Sequence, residues 1–141
     1  MNRFLKTYNT KITILLFLAV LLSVVVMRSF DARLTNDVCT GGIVSFELTQ
    51  DLSESERILD SWDDHAKLNA SLSMGYDFLF LLLYSSFIAL LIFNINERLW
   101  ENRAFHKVGR LLIFLIFCAA VFDAVENYAL IKLLLNDLSQ T

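Results

Sequence analysis

Two carboxylates and one amide lie within a strongly apolar stretch near the carboxyl end of the chain. Asp123, Glu126 and Asn127 stand three and four residues apart in FDAVENYAL, so on a helix they share one face. Two carboxyl groups close enough to share a proton suit acid–base catalysis, a proton relay or the binding of a polar ligand. The same groups can instead form hydrogen bonds between helices. The residue types therefore indicate a polar site without selecting its chemistry.

The polar face is expected to point at protein and not at lipid. A charge at the centre of a bilayer costs about 2.5–3.5 kcal/mol on insertion scales. Ala119 and Ala120, one turn before Asp123, are small enough to let a neighbouring helix approach closely. We therefore expect Asp123, Glu126 and Asn127 in the interior of a helical bundle.

The preceding apolar segment is expected to supply neighbours for this face. An antiparallel alignment of the two segments places Tyr84 and Ser85 near the depth of Asp123, where their hydroxyl groups can donate hydrogen bonds. Asp77 lies about two turns before Tyr84 on the same face, and Arg28 is expected at its depth, so an Arg28–Asp77 ion pair is predicted. The predicted polar network has six members: Asp77, Tyr84, Ser85, Asp123, Glu126 and Asn127.

The composition indicates that these residues belong to an integral membrane protein. The chain has 141 residues, of which 56% are hydrophobic, and it has no proline to interrupt a helix. Three apolar segments are predicted to cross a membrane, at about 12–28, 77–96 and 110–135. The predicted fold is an all-α membrane protein, a single domain over 1–141, with three transmembrane helices and one external amphipathic helix in a small bundle.

The distribution of Lys and Arg predicts the orientation of the spans. The 96–110 connection carries four basic residues, and three lie before the first span, whose flanks do not favour cleavage as a signal peptide. Segment 29–76 is rich in acids. The positive-inside rule therefore places the N-terminus in the cytoplasm, and segment 29–76 and the C-terminus outside. The predicted location is the bacterial inner membrane, with segment 29–76 in the periplasm.

Segment 29–76 is predicted to be folded. After Gly41 and Gly42, the alternation in IVSFELT is typical of a short extended piece. A capping box at Ser53 and Glu56 predicts a helix over about 54–73, packed on the bundle or lying at the lipid interface with Trp62 as its anchor. Gly75 offers a break before the second span, and a helix that continues through it is the alternative.

Several classes of function receive no support from the sequence. His65 and His106 fall on opposite sides of the predicted membrane, and no CxxC or HExxH pattern occurs, so we expect neither a metal nor another cofactor. A formal charge of −3 and the lack of a basic, aromatic-rich surface give no indication of nucleic-acid binding. Cys39 and Cys118 are expected to lie too far apart for a disulfide, and Cys39 is expected to be inert.

Four sequence pieces resemble a group of small bacterial helical membrane proteins of uncharacterised function. The pieces are GIVSFELT, RILDSW, YDFLFLLLYSSF and FDAVENYAL, in this order over about residues 42–135. The resemblance implies that Asp77, Asp123, Glu126 and Asn127 belong to a shared design. It implies no activity.

The function predicted from these observations is non-enzymatic. We expect a small membrane protein that lies in a lipid bilayer and binds a lipid-like ligand or a membrane protein partner, which can be another copy of the chain in a homo-oligomer. The alternative is an intramembrane enzyme or a proton-coupled carrier that uses Asp123 and Glu126. A purely structural role for the polar residues is the third interpretation.

Overall fold

The described part of the chain is helical apart from short connections. A computed structural model describes residues 3–49, 51–99 and 103–138. In chain order its helices are α1 (Arg3–Asp31), α2 (Ile43–Glu47), α3 (Leu52–Asp60), α4 (Asp64–Leu99) and α5 (Arg103–Leu138). No strand occurs among these residues, so the predicted all-α class is confirmed for them.

Three helices are long and apolar enough to cross a membrane. They contain the stretches Asn9–Asp31, Asp64–Glu97 and His106–Leu135. In the most apolar part of each stretch, only 6%, 17% and 6% of the residues are buried. Apolar side chains thus cover the outside of these helices, which is the arrangement that lipid favours and water does not.

Helix α4 is longer than a bilayer requires. At about 1.5 Å per residue, its 34-residue apolar stretch reaches about 51 Å, whereas the hydrocarbon core is about 30 Å thick. In a membrane, α4 would therefore continue well beyond the hydrocarbon.

The contacts divide the chain into two compact units. Unit 1 comprises Met1–Ser23 and Leu79–Ala124, and unit 2 comprises Val24–Phe78 and Val125–Thr141. The three long helices each contribute to both units, so each unit contains parts of α1, α4 and α5.

Unit 1 joins α1 to α4 through polar and aromatic contacts. Asn9 Nδ2 donates a hydrogen bond to Asn94 Oδ1 at 2.7 Å, and Asn94 Nδ2 donates to the Thr13 hydroxyl at 3.2 Å. The rings of Phe17 and Phe87 pack with their centroids 5.7 Å apart. These contacts fix the register of the two helices.

Unit 2 is built around a buried apolar cluster. Its buried members come from the α1–α2 connection, from the α3–α4 connection and from all four later helices: Leu34, Cys39, Ile43, Phe46, Ile58, Leu59, Trp62, Ala66, Ala70, Met74 and Leu134. Trp62 is 4% exposed. Its ring packs on Phe46 with centroids 5.5 Å apart, and its Nε1 donates to the Leu34 carbonyl at 2.9 Å. Trp62 is therefore a core residue, and its predicted role as an interfacial anchor is wrong.

Two side chains organise the connection from α1 to α2. Asn36 Oδ1 accepts hydrogen bonds from the backbone N–H groups of Val38 and Cys39, at 2.9 and 2.7 Å. Asp31 Oδ1 accepts from the N–H of Ile43, the first residue of α2, at 2.7 Å. Gly42 has φ 59°, and a Cβ atom at this position would collide with the Asp31 carboxylate. Glycine is required here for both reasons.

The extended piece predicted in IVSFELT is wrong, because this stretch forms α2. A strand would place Val44, Phe46 and Leu48 on one face, but Val44 and Leu48 are 50% and 73% exposed. The buried side chains are Ile43 and Phe46, which are three residues apart as on a helix. Packing of these two residues in unit 2 overrides the local alternation.

The single helix predicted over 54–73 is two helices. Helix α3 ends at Asp60, and α4 begins at Asp64 and continues through Gly75, so the alternative interpretation of Gly75 is confirmed. The predicted capping box at Ser53 is wrong: Asp51 is the N-cap of α3, and its carboxylate accepts from the Glu54 N–H at 2.8 Å. Ser53 instead donates its hydroxyl to Asp51.

Candidate functional site

Tyr84 and Asp123 form a hydrogen-bonded pair between α4 and α5 in unit 1. The Tyr84 hydroxyl donates to Asp123 Oδ2 at 3.0 Å, and both side chains are half-buried. The Tyr84 ring packs on Phe80 with centroids 5.3 Å apart. The depth alignment of the two helices predicts this contact, and the structure forms it.

Asp77 and Asn127 form a second pair between the same helices, in unit 2. Asn127 Nδ2 donates to Asp77 Oδ2. Asn127 is 6% exposed, and a buried amide is costly unless it is hydrogen-bonded. Asp77 supplies that partner, so four of the six predicted network residues occur as two separate pairs.

Ser85 does not make the contact that was predicted for it. Ser85 is buried, but its hydroxyl donates to the Leu81 carbonyl at 2.6 Å, within α4. Such a local bond satisfies a serine in an apolar helix without a partner on another helix. Arg28 is exposed in the last turn of α1, and its ion pair with Asp77 stays a prediction.

Glu126 is exposed, so its predicted place in the interior is wrong. Each residue of an α-helix is rotated by about 100° around the helix axis relative to the residue before it. Asp123 and Asn127 therefore lie about 40° apart around α5. Glu126 lies about 60° from Asp123 and about 100° from Asn127. The packed face of α5 is narrow enough to include the first two and exclude Glu126. Ala119, also predicted on the inward face, is exposed as well.

Glu126 therefore stands among apolar side chains on the outside of α5. Phe122 and Val125 are 74% and 62% exposed, and Tyr128 is 57% exposed. The Glu126 carboxylate makes no hydrogen bond or ion pair with any residue that the structure describes. An acid in this position lies within the apolar stretch His106–Leu135.

Two ionisable groups outside the apolar core of the spans have shifted pKa values. Burial raises the pKa of the Cys39 thiol, and the nearby Asp31 carboxylate adds to this effect against opposing hydrogen bonds. The thiol donates to the Gly42 carbonyl at 3.0 Å. A hydrogen bond from Ser53, followed by the Glu54 N–H, lowers the pKa of Asp51. Both groups support local structure, and the high pKa of Cys39 makes it a poor nucleophile.

The hydrogen bond between the amides of Asn9 and Asn94 was not predicted from the sequence. Asn94 lies near the end of a long apolar run, and a polar residue in such a run is the signal that could have identified it. Its partner could not be read from the sequence, because Asn9 is 85 residues away.

The described residues include no cluster of three or more His, Cys, Asp or Glu side chains that could hold a metal ion. Comparison of the chain with known protein families, with curated proteins and with solved structures gives no match in any of the three.

Proposed function

We propose that the protein is a non-enzymatic integral membrane protein that binds another membrane protein through the face of α5 around Glu126. In this proposal the three apolar helices cross the bacterial inner membrane. The N-terminus and the 96–110 connection lie in the cytoplasm, and segment 29–76 and the C-terminus lie outside, as the positive-inside rule favours.

The exposed carboxylate of Glu126 carries this proposal. An acid directed at hydrocarbon near the bilayer centre costs about 2.5–3.5 kcal/mol on insertion scales. Asp77 and Asp123 avoid this situation, because Asn127 and Tyr84 donate hydrogen bonds to them. Glu126 has no such donor among the described residues. A partner helix that presents a donor or a cation at its depth would remove the cost.

A different protein is favoured over a second copy of this chain. In a symmetric parallel dimer of α5, Glu126 would meet its own counterpart, and like charges repel. Lys132 is the next basic residue along α5, six residues or about 9 Å away, and its ammonium group lies 5.2 Å from the centre of the Tyr128 ring. The exposed face thus lacks a cation of its own at the right depth.

The catalytic and proton-carrier alternatives receive no comparable support. Both require Asp123 and Glu126 to work as a pair. In the structure Asp123 is half-buried and accepts from Tyr84, whereas Glu126 is exposed on another part of the helix surface.

The test compares Glu126→Ala with Asp123→Ala, two matched truncations of a carboxylate on one helix. Both variants and the wild type are extracted from native membranes in mild detergent. Native mass spectrometry then measures bound protein, and circular dichroism measures the melting temperature. We expect Glu126→Ala to lose the bound protein without a lower melting temperature. We expect Asp123→Ala to keep the bound protein but to melt earlier.

Asp60→Ala is the control, because Asp60 is exposed and lies outside the three apolar stretches. It should change neither property. A wild-type protein that carries no other protein, or a partner that survives Glu126→Ala, would refute the proposed function.

A further inference from the structure

Glu126 has a packed side and an open side on α5. Asp123, Asn127 and Leu130 lie about 40–100° from it in one direction around the helix axis. Asp123 and Asn127 form hydrogen bonds with residues of α4, and Leu130 packs against the buried cluster of unit 2. The protein itself occupies this side, so a partner has to approach the Glu126 carboxylate from the opposite direction.

The open side of Glu126 presents apolar groups. Phe122, Ala129 and Val125 lie about 40°, 60° and 100° from it in that direction. All three are exposed, Phe122 and Val125 to 74% and 62%. Ala129 follows Glu126 by one turn, and its small side chain lets another helix approach closely. Phe122 precedes Glu126 by one turn, so a group that binds the carboxylate is within reach of the Phe122 ring.

A carboxylate beside an exposed aromatic ring suits an arginine. The planar guanidinium group pairs with a carboxylate through two parallel hydrogen bonds, and it also stacks on aromatic faces. A neutral donor would leave the charge of Glu126 without compensation in a medium of low dielectric constant. Helix α5 already contains one contact between a cation and a ring, since the Lys132 ammonium group lies 5.2 Å from the centre of the Tyr128 ring.

We infer that the partner is a membrane protein with an arginine inside one of its transmembrane helices. This helix crosses α5 over Ala129, and the arginine pairs with Glu126 and lies against Phe122. The inference rests on the proposed function and adds the chemistry of the partner at the same site. Lys132 does not replace the partner, because it lies about 120° around the helix from Glu126 and contacts Tyr128.

Three substitutions of Glu126 test the charge of the partner in the native complex. Glu126→Asp keeps the negative charge, Glu126→Gln keeps an acceptor oxygen without the charge, and Glu126→Ala keeps neither. Native mass spectrometry measures the fraction of each variant that carries the partner after extraction from native membranes. We expect this fraction to fall at least about tenfold in both Glu126→Gln and Glu126→Ala. Glu126→Asp should retain part of the binding.

The outcomes separate the inference from the proposed function. A partner that is kept by Glu126→Gln and lost from Glu126→Ala needs no charge on Glu126, which would overturn the inference and leave the proposed function intact. A wild type without a bound protein, or a partner that survives Glu126→Ala, would overturn both. Peptide sequencing identifies the captured protein, and a partner without an arginine in its apolar spans would also contradict the inference.

Designed transmembrane peptides test the arginine without the native partner. A leucine–alanine helix of about 20 residues, long enough to cross a bilayer, carries a single Arg, Lys or Gln at its centre. Energy transfer between labelled peptide and labelled full chain in phosphatidylcholine vesicles measures binding. We expect the wild type to bind the Arg peptide at least about tenfold more tightly than the Gln peptide, a difference of about 1.4 kcal/mol. Glu126→Gln should remove this difference, and Asp123→Asn should keep it.

Phe122→Leu tests the contact with the ring, and Phe114→Leu is its matched control, because Phe114 is a 63% exposed ring of α5 about two turns earlier. Phe122→Leu should weaken binding of the Arg peptide about fivefold, which corresponds to about 1 kcal/mol. Phe114→Leu should leave it unchanged. Equal binding of the Arg and Gln peptides by the wild type, or a preference for Arg that persists in Glu126→Gln, would overturn the inference. A Lys peptide that binds as tightly as the Arg peptide, with equal effects of the two Phe variants, would refute the assignment of arginine.

Discussion

At the scale of single residues, the acids Asp77, Asp123 and Glu126 of α4 and α5 differ in whether another side chain donates a hydrogen bond to them. Asp77 and Asp123 accept from Asn127 and Tyr84 and are stabilised within the protein. Glu126 is exposed and lacks such a donor among the described residues. The hydrogen bonds of the first two acids therefore stabilise contacts between helices, and Glu126 is the acid at which we propose that a partner binds.

Tyr84→Phe should lower stability, because it removes the hydroxyl that donates to Asp123. Hydrogen bonds between helices in membrane proteins contribute about 0.6 kcal/mol on average and up to about 1.7 kcal/mol, so we expect a loss in this range. The free energy of unfolding in mixed micelles checks it. Tyr128→Phe is the control, because Tyr128 is a mostly exposed tyrosine of α5. Equal stability of Tyr84→Phe and the wild type would mean that the pair contributes nothing.

Asp51→Ala should destabilise the protein in a pH-dependent way. Asp51 caps α3, and its pKa in the folded protein is below the usual 3.8. A lowered pKa means that the carboxylate stabilises the fold above the unfolded-state value, and that this contribution is lost as the pH falls through the folded-state value. The variant should melt earlier than the wild type near neutral pH. The difference should shrink as the pH falls below about 3.8, the usual value.

The melting temperature of both proteins, measured by circular dichroism over this pH range, tests the assignment of the cap. Glu56→Ala is the control, because Glu56 belongs to the predicted capping box that does not form. A pH-dependent loss in Glu56→Ala, and none in Asp51→Ala, would restore the original prediction.

At the scale of elements, the packing of unit 2 decides the helices between α1 and α4. Trp62→Leu removes the hydrogen bond to the Leu34 carbonyl and the ring that packs on Phe46. Truncation of a buried Trp to Ala costs about 3–5 kcal/mol, and leucine should recover part of this cost. Chemical unfolding monitored by circular dichroism measures the loss. Leu68→Ala, at a 55% exposed position of α4, should cost much less.

Equal losses for Trp62→Leu and Leu68→Ala would contradict the assignment of Trp62 to the core. They would instead support the interfacial position that the sequence pattern favoured.

Long elements could be predicted from the sequence, and short ones could not. The long apolar runs predict three helices because nothing in them, such as a proline, interrupts the helix. The five residues of α2 give no helical period long enough to outweigh the alternation in IVSFELT. The break at residues 61–63 depends on Ser61, whose N–H donates to the Ile58 carbonyl, and on the buried position of Trp62. Both are contacts that only the folded chain forms.

The candidate site was predictable in part for a similar reason. The depth alignment of α4 and α5 brings Tyr84 to Asp123, because two antiparallel helices with a short connection have a nearly fixed register. The rotation of α5 about its axis does not follow from that register. The spacing of Asp123, Glu126 and Asn127 was therefore consistent with a buried or an exposed Glu126. The width of the face of α5 that packs against other helices determines which of the two occurs.

At the scale of the whole molecule, most of the surface of the long helices is apolar. Such surfaces are stable in lipid, and the described polar contacts between the long helices supply specificity that apolar contact alone does not. They include Asn9 with Asn94, Tyr84 with Asp123 and Asp77 with Asn127. Glu126 departs from this pattern, and the proposed protein partner would explain the departure.

The most direct test of this account is photo-crosslinking in intact membranes. A photoreactive amino acid is placed at Phe122, one turn from Glu126, and separately at Leu15, which is 68% exposed in the apolar stretch of α1. We predict a protein adduct of defined mass at position 122, its loss in combination with Glu126→Ala, and only lipid adducts at position 15. Lipid adducts alone at both positions would show that Glu126 faces the bilayer and would contradict the proposed function.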